Sequence, residues 1–224
     1  MSTVEKIIKG IKIFFFVMLY LLVKIKIMIL LEPEYLPRVN YFKDLSNKNI
    51  AYEVNLKFDS SKFFDKAHLC NENGVFSIRV PTIIKTNYEF QRDIKIDYKK
   101  NWINSHTQSL QSSYGKFPYF IFYIDSIKNI LNRNHTYLVD LNYDLLSLFL
   151  DLLDFDQKIS KTPLVDIFSD KNTIFNTETS LSSNNDVHIM RKDFFLGKNF
   201  DYKLSILDLL FLKGPESGFY IRNF

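Results

Sequence analysis

The chain has 224 residues, of which 46% are hydrophobic and 24% are charged, with 6 Gly and 6 Pro. These values are typical of a globular protein and exclude a disordered or collagen-like chain. The single cysteine, Cys70, excludes an internal disulfide and a cysteine-based zinc site. A chain of this length is expected to bury a core of its own.

The net charge of +4 comes from the N-terminal segment, residues 1–27. This segment holds five lysines and one glutamate, so the rest of the chain is neutral overall. A neutral body gives no electrostatic reason to expect a nucleic-acid partner.

Residues 13–23 form an uncharged apolar run between Lys12 and Lys24. As a helix this run would span about 17 Å, which is short of a hydrocarbon core of about 30 Å. Because lysine side chains can reach to the membrane surface, one interpretation is an anchor that attaches a cytoplasmic protein to the inner membrane. The other interpretation is an upstream extension, with Met28 as the true start. In both, residues 28–224 are expected to form a single domain.

The first half of this domain has the pattern of short strands. Strands are predicted over 27–31, 50–56, 68–70, 75–80 and 94–98, with a short helix within 35–45. Asn73 and Gly74 predict a tight hairpin turn, because both residue types adopt positive φ angles readily. Pro81 is expected to end the second hairpin strand.

From Trp102 the apolar spacing becomes helical. Helices are predicted over 102–114, 120–131 and 137–153, and a final helix is predicted to carry Leu204, Leu207, Leu210 and Phe211. Between them, residues 169–186 are mostly Ser, Thr and Asn, which predicts a mobile loop or weak hairpin. The fold class is therefore α/β, with mixed α+β as the alternative: a small, mainly N-terminal sheet with a hairpin, packed by three to four helices.

Sequence motifs for common chemistry are missing. The glycines form no phosphate-binding loop and no dinucleotide fingerprint. The four histidines have no metal-ligand spacing, so neither a metal site nor a cofactor is predicted.

His106 is the best single candidate for catalysis. It lies one helical turn after Trp102 on an aromatic face, where partial burial could tune its pKa for acid-base work. The alternative is that it packs there and donates one hydrogen bond to the backbone, and the pattern alone favours this. Asp140 and Asp144 share a helical face and could form an acid-base pair, although placement near a helix N-terminus also explains them.

Several segments, in order from about residue 28 to 216, resemble the WbqC-like protein family. They are an opening Pro-x-Tyr-x-Pro turn at 31–37, a central block at 100–120 that contains Trp102 and His106, a block at 138–146, and a C-terminal block at 204–216. One departure concerns an arginine-rich strand of the family, where this chain has Lys66 and His68. Lysine and histidine are not equivalent to arginine as donors to phosphate or carboxylate.

The resemblance implies a bacterial protein of surface polysaccharide (O-antigen-type) biosynthesis, without a defined reaction. The first hypothesis is a sugar- or glycan-modifying transferase that takes a nucleotide-activated or lipid-linked sugar. In this hypothesis His106 is the general base and Asp208, a carboxylate near the end of the final helix, is a second catalytic residue. The predicted binding residues are Lys66, His68 and Lys100 for the anionic donor, and Trp102 or Tyr114 for stacking on a ring. The alternative is a non-catalytic assembly or binding protein of the envelope pathway.

Overall fold

The computed structural model describes residues 28–43, 45, 49–84, 90–155, 159–161, 173–175 and 204–223. The apolar run at 13–23 and most of the polar segment 169–186 lie outside these residues. Within the part of the chain that is described, no helix is long and apolar enough to cross a bilayer.

Among the residues that the structure describes, four parallel strands form the main sheet. They are β1 (Met28–Leu31), β2 (Asn49–Tyr52), β7 (Ile159–Lys161) and β8 (Thr173–Phe175), and their order is β7-β2-β1-β8. Ile29 of β1 pairs with Ile50 on one side and Ile174 on the other. The part of the polar segment at 173–175 is therefore a strand rather than a loop or hairpin. Ile174 and Phe175 have high strand propensity, which the polar composition around them conceals.

The hairpin lies in the long connection between β2 and β7. It consists of β3 (Lys66–Asn71) and β4 (Gly74–Arg79), followed by a small antiparallel pair, β5 (Thr82–Ile83) with β6 (Lys95–Ile96). The hairpin is confirmed, but its turn residues are Glu72 and Asn73, and neither has a positive φ. Gly74 alone has a positive φ, of 122°, and Asn71 Oδ1 accepts a hydrogen bond of 2.8 Å from the Asn73 backbone.

Three helices follow in the same connection, with the bounds that the apolar spacing predicts to within a residue. They are α1 (Trp102–Tyr114), α2 (Phe120–Leu131) and α3 (Leu138–Leu152). By contrast, the helix predicted within 35–45 is a single 3-10 turn, Val39–Phe42. The chain before it cannot be helical because Leu36 has a φ of +44° and Pro37 lacks a backbone N–H.

The C-terminal part contains α4 (Ile206–Lys213) and α5 (Ser217–Arg222). The side chain of Ser205 caps α4 by accepting a hydrogen bond from Leu207 N at 3.3 Å. Leu204 therefore precedes the helix, and the prediction that it lies on the helix is wrong. The same cap places Asp208 in the first turn of α4 and not near its end, which corrects a second expectation. A carboxylate in the first turn is favoured by the helix dipole.

Among the described residues, the largest cluster of buried side chains joins the sheet to the helices. Its largest fully buried side chains include Tyr35, Tyr52, Phe149 and Phe211. The ring of Phe211 lies 5.0 Å from that of Phe120, so α4 packs on α2. The fold is thus the mixed α/β arrangement that the sequence predicts, an N-terminal sheet and hairpin packed by helices.

Candidate functional site

The loop after β1, residues 32–38 (the β1 loop), begins at the carboxyl end of a parallel strand. Ligand sites of parallel sheets are found at such strand ends. Arg38 closes the loop by an ion pair with Glu34 and by a further bond from its backbone N to the same carboxylate. The β1 loop is thereby held in a defined shape beside the hairpin.

Three basic side chains surround the aromatic ring of Phe63, and we call these four residues the Phe63 cluster. The Arg38 guanidinium lies 4.3 Å from the ring centroid, the Lys66 Nζ lies 5.4 Å from it, and the His68 ring lies 5.0 Å away. The β1 loop fixes Phe63 in turn, since Tyr35 N donates to the Phe63 carbonyl at 2.9 Å. The attraction of cations to an aromatic face favours this grouping.

The charges of the Phe63 cluster are not equally compensated. Arg38 is paired with Glu34, whereas Lys66 donates to the carbonyl oxygens of Ser61, at 2.6 Å, and Ser60, at 3.4 Å. Among the residues that the structure describes, no carboxylate forms an ion pair with Lys66. Within the described part of the chain, Lys66 therefore differs from Arg38 in having no ion-pair partner.

His106 lies on α1, only 4% exposed, and its Nδ1 is 2.9 Å from the hydroxyl oxygen of Tyr35. Burial lowers the pKa of His106 to about 4, although a hydrogen bond to the Arg79 backbone acts in the opposite direction. The imidazole is therefore neutral at pH 7, with a pKa below the range near neutrality that suits a general base. The role of His106 as a base remains a prediction.

Trp102 contacts His106 edge to face, with ring centroids 5.1 Å apart, and is itself buried. Its Nε1 finds no hydrogen-bond partner among the described residues. Lys100, just before α1, is exposed, and its carbonyl accepts a bond from Trp102 N at 2.8 Å. Lys100 is not among the residues that contact the ring of Phe63.

Tyr114, at the other end of α1, is fully buried. Its hydroxyl oxygen accepts a hydrogen bond of 3.0 Å from Cys70 N, and its ring packs on Phe117 and Phe211. These contacts join the hairpin to α1 and α4, so the structure gives Tyr114 a structural role. Stacking of a ligand on Tyr114 stays an untested prediction.

Asp208 lies on a helix whose start is tied to both the β1 loop and β3. Ile206 N donates to the Pro37 carbonyl at 2.7 Å, and Ser205 N donates to the His68 carbonyl at 2.9 Å. Asp208 itself is 4% exposed. Because of these bonds, the start of α4, the β1 loop and the strand of Lys66 and His68 converge in space.

The predicted site residues therefore fall into separate places. Lys66 and His68 lie together in the Phe63 cluster, next to the start of α4, and Trp102 and His106 contact each other beside Tyr35. Sequence reasoning did not single out Tyr35, Arg38 or Phe63 as site residues. Two sequence features could have indicated these residues. One is the spacing of four residues between Glu34 and Arg38, and the other is the aromatic residue three positions before Lys66. Within the described ranges, no three or more His, Cys, Asp or Glu residues are grouped to hold a metal ion.

The comparison with known protein families identifies the family of the chain. The model of the WbqC-like protein family matches residues 32–192, more than two thirds of the chain. The match includes the β1 loop, the Phe63 cluster and helices α1 to α3, and it ends before the C-terminal block at 204–216. No curated protein and no solved structure matches the chain. On the strength of the family match, the chain belongs to the WbqC-like protein family.

Proposed function

We propose that this protein is a sugar- or glycan-modifying transferase of bacterial surface polysaccharide biosynthesis, with an anionic donor held at the Phe63 cluster. The observation that supports it is the convergence of Arg38, Lys66 and His68 on one half-buried aromatic ring. Nucleotide-activated and lipid-linked sugars both carry phosphate groups, which basic side chains bind by charge-assisted hydrogen bonds.

The strand geometry supports a phosphate ligand at Lys66 and His68. These residues are two positions apart on β3, so their side chains point to the same face, about 7 Å apart along the strand. A diphosphate could contact both at once.

His106 is the proposed base in this scheme, with Tyr35 positioning its ring through the bond to Nδ1. In the folded protein burial lowers the pKa of His106 to about 4. A donor that brings negative charge near the imidazole would raise this pKa towards neutrality, where a general base works best. Asp208, at the start of α4, is the second catalytic residue of the proposal.

The donor site can be tested by thermal unfolding with UDP-, GDP-, CMP- and dTDP-linked sugars. A ligand that binds only the folded protein raises the melting temperature. We expect a rise with at least one of these sugars, loss of the rise in Lys66→Gln, and its retention in Lys128→Gln, a lysine on α2. A nucleotide-sugar donor site is refuted if none of the sugars shifts the melting temperature, or if Lys66→Gln responds as the wild type does.

A non-catalytic binding or assembly protein of the envelope pathway is the second candidate. Two observations favour it: the pKa of His106 is low, and the imidazole is hydrogen-bonded to the Tyr35 hydroxyl. Both are typical of a histidine with a structural role. The two candidate functions can be distinguished by incubating the protein with a donor that binds and with an acceptor. A transferase releases the nucleotide or lipid phosphate when the acceptor is supplied. Binding without release, together with recovery of another envelope protein in a pull-down, supports the second candidate.

A further inference from the structure

Two neighbouring apolar side chains protrude from the first turn of α2. Ile121 is 73% exposed and Phe122 is 70% exposed, which are the largest exposed fractions of any large hydrophobic side chain among the described residues. Further along the same face, at helical spacings of four and seven residues, the exposed side chains are polar: Asp125, Ser126 and Asn129. The outward face of α2 is therefore polar except at its start.

A third exposed apolar side chain, Phe219, lies on α5 and is 63% exposed. Tyr119, just before α2, connects the two helices. Its ring is 6.3 Å from the ring of Phe122, and it packs so closely on Gly214 that a Cβ there would overlap it. Between Gly214 and Phe219 the chain forms only a 3-10 turn and the first residues of α5. The start of α2 therefore adjoins α5, and we call Ile121, Phe122 and Phe219 the apolar patch.

The two segments that carry the apolar patch are positively charged. Residues 116–122 and 213–222 have a net charge of +2, from three basic residues and one acidic residue: Lys116, Lys213, Arg222 and Glu216. The next charges along α2, Asp125 and Lys128, lie 4.0 Å apart and offset each other. The domain as a whole is neutral, so the compensating negative charge lies elsewhere on it. Positive charge beside exposed aromatic and aliphatic side chains is the combination that binds an anionic lipid surface.

The size of the apolar patch favours a membrane over a second copy of the chain. A phenylalanine side chain offers about 200 Å², so three large side chains that are each about two-thirds exposed present about 400 Å². A stable dimer buries about 800 Å² on each partner. A bilayer needs no surface of matching shape, because apolar side chains enter the boundary between headgroups and acyl chains one by one.

We propose that the apolar patch binds an anionic lipid surface, with its three side chains in the bilayer and the neighbouring basic side chains at the lipid phosphates. This inference goes beyond the proposed function, because the patch contains no residue of the Phe63 cluster and would serve a transferase and a binding protein equally. It also concerns a surface other than the apolar run at 13–23. In a transferase the patch would hold the domain beside a lipid-linked sugar.

The test uses tryptophan fluorescence of the full chain with Phe122→Trp and vesicles of equal parts phosphatidylglycerol and phosphatidylcholine. The wild type gives the background, since its single tryptophan, Trp102, is 4% exposed. We expect the vesicles to shift the emission of Phe122→Trp to shorter wavelength, and lipids with brominated acyl chains to quench it. Phe90→Trp, at an exposed aromatic position outside the patch, is the matched control and should be neither shifted nor quenched.

Because the signal comes from position 122 itself, it reports on the patch whether or not the run at 13–23 also binds lipid. A Phe122→Trp protein that melts as the wild type does but is not quenched overturns the proposal. If Phe122→Trp fails to fold, Ile121→Trp provides the same test at the neighbouring exposed position. Vesicles of phosphatidylcholine alone should quench less, and equal quenching would contradict the preference for anionic lipid.

Two other occupants of the patch give different results. If the emission of Phe122→Trp is already shifted to shorter wavelength without vesicles, and Phe15→Asp with Leu19→Asp reverses this, the apolar run of the chain covers the patch. If Phe122→Ser lowers the molecular mass in analytical ultracentrifugation, a second copy of the chain covers it. Either result overturns the proposal, and neither depends on whether nucleotide sugars stabilise the protein.

Discussion

The hydroxyl oxygen of Tyr35 lies 2.9 Å from Nδ1 of His106, and this bond joins the β1 loop to α1 across 71 positions of sequence. Both residues are buried, and their rings are 5.7 Å apart. A hydrogen bond in such surroundings is costly to break, because neither group can turn to water instead. The pair therefore connects the loop at the end of β1 to the helix that carries the predicted base.

Tyr35→Phe should lower the free energy of unfolding by about 1–2 kcal/mol, because it removes the hydroxyl and leaves His106 Nδ1 without its partner. Urea denaturation at pH 7 measures the change. Tyr98→Phe is the matched control: its hydroxyl bonds to the His135 carbonyl at 3.1 Å in a residue that is 38% exposed, so water can replace the bond. We expect a loss of about 0.5 kcal/mol there. Equal losses in the two variants would contradict a buried Tyr35–His106 bond.

Stability should fall as the pH is lowered from 6.5 towards 4, because of His106. Its pKa is about 4 in the folded protein and 6.5 ordinarily, so in this window the unfolded chain binds a proton that the folded protein does not. The shift corresponds to a loss of about 3 kcal/mol once the pH is below both values. Denaturation of the wild type and of His106→Gln at pH 7, 5.5 and 4.5 isolates this contribution. The wild type should lose stability relative to the variant at each step, and a constant difference would be evidence against a depressed pKa.

Asp144, in the middle of α3, should contribute a modest ion pair with the residues that precede this helix. It accepts hydrogen bonds from Arg133 at 2.7 Å and His135 at 2.9 Å. Burial raises the pKa of Asp144, but these bonds outweigh that effect and hold the pKa below its ordinary value. Its contribution is therefore present above pH 4 and is lost as the pH falls through the lowered pKa.

For Asp144→Asn we expect a loss of about 1 kcal/mol at pH 7, since the carboxylate is only partly exposed and has two partners. Asp125→Asn provides the control, because its side chain is 83% exposed and lies 4.0 Å from Lys128. That variant should differ from the wild type by less than about 0.5 kcal/mol. If both variants lose the same amount of stability in thermal unfolding, the contacts of Asp144 with Arg133 and His135 do not stabilise the fold more than an exposed ion pair does.

Gly218→Ala should be strongly destabilising. A Cβ at this position would lie 2.1 Å from the carbonyl oxygen of Leu153, a backbone atom at the end of α3 that cannot turn aside. We expect a loss of about 3 kcal/mol, because α5 must shift to relieve the clash. Phe219→Ala, the next residue along and 63% exposed, should change stability by no more than about 0.5 kcal/mol. A Gly218→Ala protein as stable as the wild type would show that α5 does not pack against Leu153.

The helices α1, α2 and α3 were predictable because their signal is local. An apolar residue every three or four positions predicts a helix and its buried face, and Gly115 and Pro118 mark the interruption between α1 and α2. Trp102, His106, Leu110 and Tyr114 are all buried on one face of α1, as their spacing indicates. The helix start at Ile206 was harder to locate, since it depends on a single serine cap after a polar segment. The predicted position of Asp208, near the end of this helix, was wrong for the same reason.

The amino-acid order alone specifies helices α1 to α3, the hairpin and the family, because each depends on residues close together in the chain or on blocks in a recognisable order. Which residues share a site depends on the tertiary fold. Arg38, Phe63 and Lys66 meet for two reasons. Tyr35 N donates a hydrogen bond to the Phe63 carbonyl, and the segment Leu204 to Ile206 lies between the β1 loop and β3. Burial of His106 against Tyr35 likewise arises from contacts between distant segments, and that burial, rather than any spacing, sets the pKa of its imidazole.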